Sequence, residues 1–274
     1  LEIIAIKTKT IMHKRSIITI LLTILVFSAA VVLGVSSVYR VNAVTLEVSV
    51  ISEVAEEEAD SLQKKLLSRY QSESIFFVDE QAAEEEFAAF PYFRMVSFRK
   101  QYPNRLVIEA TEDAEMFAVE KGDGNYYILG PDGTILGVRG DTANRSDGAE
   151  NILVTGLSAT GNRGEILTGD ECIRPLIDFC AEADSRLNGL RSNLVSVEVM
   201  KPTSSSADIS FCLVLREGVK AYVRNPLNLT QEKAKAFADC YLSLDTDKRL
   251  GGGIEVTDDA LNPGQVRVVY SANG

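Results

Sequence analysis

From Ser16 to Tyr39 the chain reads SIITILLTILVFSAAVVLGVSSVY, 24 residues without a charged side chain. At about 1.5 Å of rise per residue such a run makes a helix of about 36 Å, enough to cross the ~30 Å hydrocarbon core of a bilayer with some tilt. The run is longer than the ~7–15 apolar residues of a signal peptide, although Val41-Asn42-Ala43 offers the small residues a signal peptidase accepts. A transmembrane helix over 16–39 is therefore expected, with a cleaved signal peptide as the rival reading.

Charge sets the orientation. Residues 1–15 carry Lys7, Lys9, Lys14 and Arg15 against Glu2, whereas residues 41–274 hold 23 basic against 38 acidic side chains, a net charge of −15. Basic flanks stay in the cytoplasm, so residues 1–15 read as a cytoplasmic tail and the remainder as extracytoplasmic. A surface this acidic repels a phosphate backbone, which argues against nucleic acid as a partner. Met12, directly before HKRSIITILL, stands where a natural start would fall.

After the anchor, Val44, Leu46, Val48 and Val50 alternate as in a strand. Ala55, Ala59, Leu62, Leu66 and Tyr70 then recur at helical spacing. A second helix is predicted after Asp79, its expected N-cap, with Ala83, Phe87 and Phe90 on its buried face and Pro91 as its stop. Val96 and Phe98 are expected to point inward on the next strand; Leu106, Ile108 and Ala110 do so on its partner beyond the Pro103-Asn104 corner. The acidic runs Glu56 to Glu58 and Glu84 to Glu86 read as solvated helix faces.

Two turn signals, Gly122-Asp123-Gly124 and Pro131-Asp132-Gly133, mark further antiparallel sheet. The polar stretch from Gly137 to Glu150 reads as a loop, and its Arg139-Gly140-Asp141 triplet as chance. A helix from Asp170 to Leu187, with Pro175 in its first turn, precedes three strands near 194–200, 208–215 and 219–223. Thr230 is expected to cap a helix carrying Ala234, Phe237, Tyr241 and Leu244, and strands at 254–257 and 265–271 follow.

The chemistry of catalysis is hard to find. His13 is the only histidine and lies before the anchor, which leaves no outer Ser-His, Cys-His or His-metal arrangement. Gly251-Gly252-Gly253 lacks the Lys-Ser/Thr of a phosphate loop and reads as a hinge or bulge. Cys172, Cys180, Cys212 and Cys240 permit two disulfides, but each sits in an apolar pattern, where a buried thiol is the plainer reading. No catalytic residue, metal, cofactor or small-molecule substrate is expected. A Ser-Lys hydrolase is the only enzyme class left open, and no spacing singles out a pair.

The order of these features carries a resemblance. A short basic end, one membrane helix, and a strand-helix-helix-strand-strand unit containing FPYFRMVSFRKQYPNRLVIEATEDAEMFAV and then YYILGPDGTIL resembles the bacterial division family FtsQ/DivIB. NILVTGL is similar to the segment leading into that family's second domain, and GVKAYVRNPLNLTQEKAKAFADCYLSL and GGIEVTDD to its late hairpin, helix and closing strands. Two positions depart from the family: Ile51-Ser52 and Arg224-Asn225 stand where it commonly has a glycine.

The resemblance implies an α+β chain: tail 1–15, transmembrane helix 16–39, POTRA domain 41–114 and a second α+β domain on an antiparallel sheet at 115–274. It further implies a non-enzymatic divisome scaffold in the cell membrane at the septum, binding FtsL-like and DivIC/FtsB-like proteins and supporting septum formation. Members of the family bind their coiled-coil partner largely by strand addition. Here the receiving edge would be Gln265, Val266, Arg267, Val268, Val269, Tyr270 and Ser271, with Val266, Val268 and Tyr270 either a contact stripe or simply core-facing. Arg99 and Lys100 are a secondary docking candidate. POTRA domains also occur in export and assembly factors that bind extended polypeptides, and that is the alternative function.

Overall fold

The computed structural model describes residues 19–31, 33–34, 37–49, 52–146, 148–202 and 209–272. Residues 19–31, 33–34 and 37–38 are helical and expose Ile20, Leu25 and Phe27. Among the described residues no helix is long and apolar enough to cross a membrane. The basic tail, Met12, His13 and, of the expected span, residues 16–18, 32, 35 and 36 lie outside the described residues.

The chain divides into two compact units, one of residues 1–47, 63–84 and 95–109 and the other of residues 48–62, 85–94 and 110–274. Among the described residues its strands form two sheets. The first is built from β1 (Ala43–Ser49), β2 (Phe93–Gln101) and β3 (Arg105–Glu112) in the order β1-β3-β2, with α1 (Glu53–Tyr70) and α2 (Glu80–Phe87) between β1 and β2 in the chain. The heptad-like stripe of α1 is buried at Ala55, Leu62, Leu66 and Tyr70, as its spacing predicts. Central β3 buries Leu106, Val107, Ile108 and Ala110. Edge strand β2 differs from expectation: Phe98 stacks near Tyr70, with ring centroids 5.9 Å apart, but Val96 is 63% exposed. An edge strand has a neighbour on one side only, so alternation in sequence does not ensure cover.

Both helix starts in this module are capped by side chains. Asp79 Oδ1 accepts the Gln81 N–H at 3.1 Å, as predicted for α2. At α1, Ser52 Oγ accepts the Ala55 N–H at 3.1 Å while its own hydroxyl donates to Glu112 Oε1 at 2.7 Å. The Ser52 backbone N–H donates to Glu112 Oε2 at 3.2 Å. Serine here thus supplies an N-cap, a role glycine fills without a side chain. Ser52→Ala is expected to lower stability by about 1 kcal/mol, typical of a lost cap. The urea midpoint of a fragment spanning 41–274 reads this directly.

The second sheet has nine strands in the order β12-β11-β10-β9-β8-β7-β4-β5-β6. These are β4 (Phe117–Glu120), β5 (Tyr126–Leu129), β6 (Ile135–Arg139), β7 (Ile152–Thr155), β8 (Leu194–Met200), β9 (Ser210–Leu215), β10 (Lys220–Arg224), β11 (Gly253–Asp258) and β12 (Val266–Ser271). Five of its eight pairings are antiparallel; β4 with β7, β7 with β8, and β10 with β11 are parallel. The expected antiparallel sheet is thus antiparallel-rich, with three parallel pairings in addition. Long connections, two of them helical, separate these parallel partners and let the chain return in the same direction. The helix α3 (Ile173–Leu187) joins β7 to β8, and α5 (Thr230–Ser243) joins β10 to β11. Short α4 (Leu190–Asn193) and α6 (Thr246–Arg249) follow them.

Helices α3 and α5 pack on each other, and their apolar stripes close one core with the sheet. Phe179 of α3 lies 6.2 Å from Phe211 and 5.8 Å from Phe237 of α5, ring centre to ring centre. All four cysteines are free thiols; Cys172, Cys180 and Cys212 are buried and Cys240 half-buried. Burial pushes the Cys172 thiol up to about 11, which keeps it protonated and inert at neutral pH. Thr230 does not cap α5 through its side chain: its hydroxyl donates to the Pro226 carbonyl at 2.7 Å, and Leu229 takes the cap position in the left-handed region with φ +50°.

Candidate partner-binding edge

The outermost strand of the nine-stranded sheet, β12, pairs only with β11 among the described residues. Its register sets Tyr270 beside Ile254, Val268 beside Val256 and Val266 beside Asp258. Ile254 and Val256 are fully buried, so Val266, Val268 and Tyr270 share the core side, where they pack half-buried against the cluster. Arg267, Val269 and Ser271 face outward, Val269 with 42% of its surface exposed, and Gln265 is an exposed residue just before the strand.

Three devices hold this edge in place. The Tyr270 hydroxyl donates toward the Lys248 carbonyl at 3.0 Å and the Gly251 carbonyl at 3.3 Å. Gly252, with φ +88°, brings its backbone so near that an added Cβ would lie 2.6 Å from the Ser271 oxygen, so this glycine closes the corner before β11. The third device is a buried lysine. Lys233 on α5 is fully buried, and its Nζ donates to the Asn225 carbonyl at 2.7 Å and pairs with Asp258 Oδ1 at 2.8 Å. Asp258, the last residue of β11, also accepts from Asn225 Nδ2 at 3.0 Å and Asn228 Nδ2 at 3.1 Å. Burial pulls the ammonium below the ordinary lysine value, against the pull of the Asp258 carboxylate. Asn225 itself lies in the left-handed region, φ +46°, which asparagine tolerates better than most residues. It thereby fills a place where glycine would be expected.

The two edges of the sheet differ. On β6, the far edge, the Ile135 N–H donates to the Glu165 carbonyl at 2.8 Å and the Ile135 carbonyl accepts from the Gly164 N–H at 2.8 Å, while the Leu167 N–H bonds Gly133 at 3.0 Å. A loop therefore covers the start of that edge, around Ile135. Nothing among the described residues does the same for β12. An uncovered edge with a single charge, Arg267, has the geometry for strand addition, in which main-chain hydrogen bonds supply affinity and alternate side chains specificity.

The secondary candidates sit elsewhere. Arg99 on β2 pairs with Glu109 at 2.5 Å and Glu47 at 3.4 Å, and Lys100 is half-buried. With Arg94, they place a row of cations along an edge strand, a common guard against unwanted pairing. No group of three or more His, Cys, Asp or Glu side chains placed to hold a metal occurs among the described residues.

Sequence reasoning missed a densely connected side chain in the second unit. Glu115, buried between β3 and β4, receives Arg139 Nη1 at 2.9 Å and Nη2 at 2.8 Å, the Tyr92 hydroxyl at 2.7 Å, Asn151 Nδ2 at 3.1 Å and the Arg145 N–H at 3.0 Å. Its carbonyl accepts from Asn144 at 2.8 Å and Arg191 at 3.1 Å. Arg139, set aside in sequence as part of a chance triplet, is the charge partner. Glu58, read as solvated, pairs with Arg163.

A β-α-α-β-β module with strand order β1-β3-β2 is the architecture of a POTRA domain, a non-catalytic protein-interaction module. Residues 47–112 match the family model described as "POTRA domain, FtsQ-type", and the match supports assignment of the chain to the FtsQ/DivIB family. No curated protein matches the sequence. A POTRA domain of this type points to a scaffold role associated with cell division.

Proposed function

We propose that the chain is a single-pass scaffold of the divisome, with its N-terminus in the cytoplasm and both sheets outside the membrane at the septum. It binds FtsL-like and DivIC/FtsB-like partners by accepting a strand on β12 and performs no catalysis. The FtsQ-type POTRA match supports the division role, and the uncharged run from Ser16 to Tyr39 supports the anchor. The observation that carries the binding mode is the contrast between β6, whose start is covered by a loop, and β12, which is uncovered along its length among the described residues. Backbone pairing with the partner would continue the sheet beyond β12, and Arg267, Val269 and Ser271 would select it from the outer face.

Co-expression of the full chain with an FtsL–DivIC pair tests this reading: co-purification of all three is the expected result. Capture of many unrelated extended peptides, with no preference for the pair, would instead favour an export or assembly factor.

A further inference from the structure

Three aromatic side chains of the first unit, Tyr39, Phe76 and Tyr102, gather at the end of the N-terminal helical residues, and exposed Phe77 is next in sequence to Phe76. Tyr39 directly follows helical residues 37–38. The chain is then stitched at once into the three-stranded module. The Tyr39 carbonyl accepts the Ile75 N–H at 2.8 Å, the Val41 N–H donates to Glu73 at 2.8 Å, and the Asn42 N–H donates to Asn104 at 3.0 Å. The Tyr39 ring lies 4.9 Å from Phe76 and 6.4 Å from Tyr102, and Phe76 lies 5.7 Å from Tyr102. Yet this cluster is not core: Phe76 is 52%, Phe77 86% and Tyr102 61% exposed. Exposed aromatics grouped at one place mark an interaction surface.

We propose that Tyr39, Phe76, Phe77 and Tyr102 seat the first unit in the interfacial layer of the membrane, so that the occupant of this surface is lipid. The proposal rests on the anchor reading above. If residues 16–39 span the bilayer, Tyr39 stands at the outer interface, a layer about 5–8 Å thick between hydrocarbon and water. Its ring neighbours lie within 6.4 Å of it, inside that thickness. Backbone hydrogen bonds on both sides of Arg40 leave no linker that would lift them away. Amphipathic aromatic rings favour this layer, and exposed Arg40 adds attraction to anionic headgroups. The height of the first unit above the membrane is thereby fixed.

The chain has no tryptophan, so a single substitution is a sole fluorescent reporter. The full chain is reconstituted in two sets of vesicles of phosphatidylcholine and phosphatidylglycerol, one with acyl chains brominated near the headgroup, to read the interfacial positions, and one with acyl chains brominated near their ends, to read the middle of the anchor, about 18 Å from Tyr39. Phe77→Trp and Tyr102→Trp report on the surface and Phe27→Trp on the anchor. Val96→Trp serves as the control, because Val96 lies six residues up β2 from Tyr102, about 20 Å at strand rise. The expected result is loss of most emission at Phe77→Trp, Tyr102→Trp and Phe27→Trp, with Val96→Trp unquenched. Quenching of Phe27→Trp alone would overturn the seating and leave the anchor standing. No quenching at any of the reporters would overturn both.

Discussion

Replacing Glu115 with alanine is expected to lower stability by about 3–5 kcal/mol, the range seen when one partner of a buried ion pair is removed. The loss comes from the groups left behind. Arg139, whose side chain is only 12% exposed, would stay buried without its counter-charge, and the donors on Tyr92, Asn151 and Arg145 would lose their acceptor. Denaturant unfolding of a 41–274 fragment measures it, and a loss below about 1 kcal/mol would mean that the network does little for the fold.

The same carboxylate predicts a pH response. Burial pushes the Glu115 carboxyl up, but the hydrogen bonds from Arg139, Tyr92, Arg145 and Asn151 outweigh it and hold it below its ordinary value of 4.5. A depressed folded value means that Glu115 contributes its full stabilisation above the unfolded value and loses it as pH falls through the folded one. Glu115→Gln should therefore flatten this part of the acid limb of the stability curve while remaining less stable at neutral pH.

Gly156→Ala is expected to cost about 2–5 kcal/mol. Gly156 directly follows β7 with φ +82°, and a Cβ there would lie 2.2 Å from the Val199 backbone oxygen. The left-handed conformation costs a residue with a Cβ roughly 1–2 kcal/mol, and forcing packed backbone apart adds about 1–3. Because β7 pairs with β8 in the middle of the sheet, the displaced atoms belong to a neighbouring strand and not to a surface loop. Amide hydrogen exchange should show loss of protection in β7 and β8 first. Unchanged protection and midpoint would show that the strands can part there without penalty.

What could be read in the sequence follows from which interactions have a local signature. The stripes of α1, α3 and α5 repeat at helical spacing, so their buried faces were legible, and the β12 strand showed as Val266, Val268 and Tyr270 in alternation. Pairing direction was not legible. Whether β7 lies parallel to β8 depends on where α3 returns the chain, which no single strand encodes. Glu115 looked like one acid among many, because its partners come from residues 92, 139, 145 and 151. Lys233 did have a signal: it stands one turn before Phe237 on the apolar stripe of α5, where a cation belongs only if something receives it. Asn225 is the reverse case, for its sequence looked like a departure from glycine and its backbone reproduces what glycine would do.

Partner binding at β12 is the centre of the proposed function. Placing a photoreactive amino acid at Val269, 42% exposed on β12, and separately at Val138, 45% exposed on β6, asks both edges the same question. In cells producing the full chain, irradiation is predicted to join Val269 to an FtsL-like or DivIC-like protein and to leave Val138 without that product. Crosslinking from Val138 and none from Val269 would contradict the account and move the binding site to the opposite edge of the sheet.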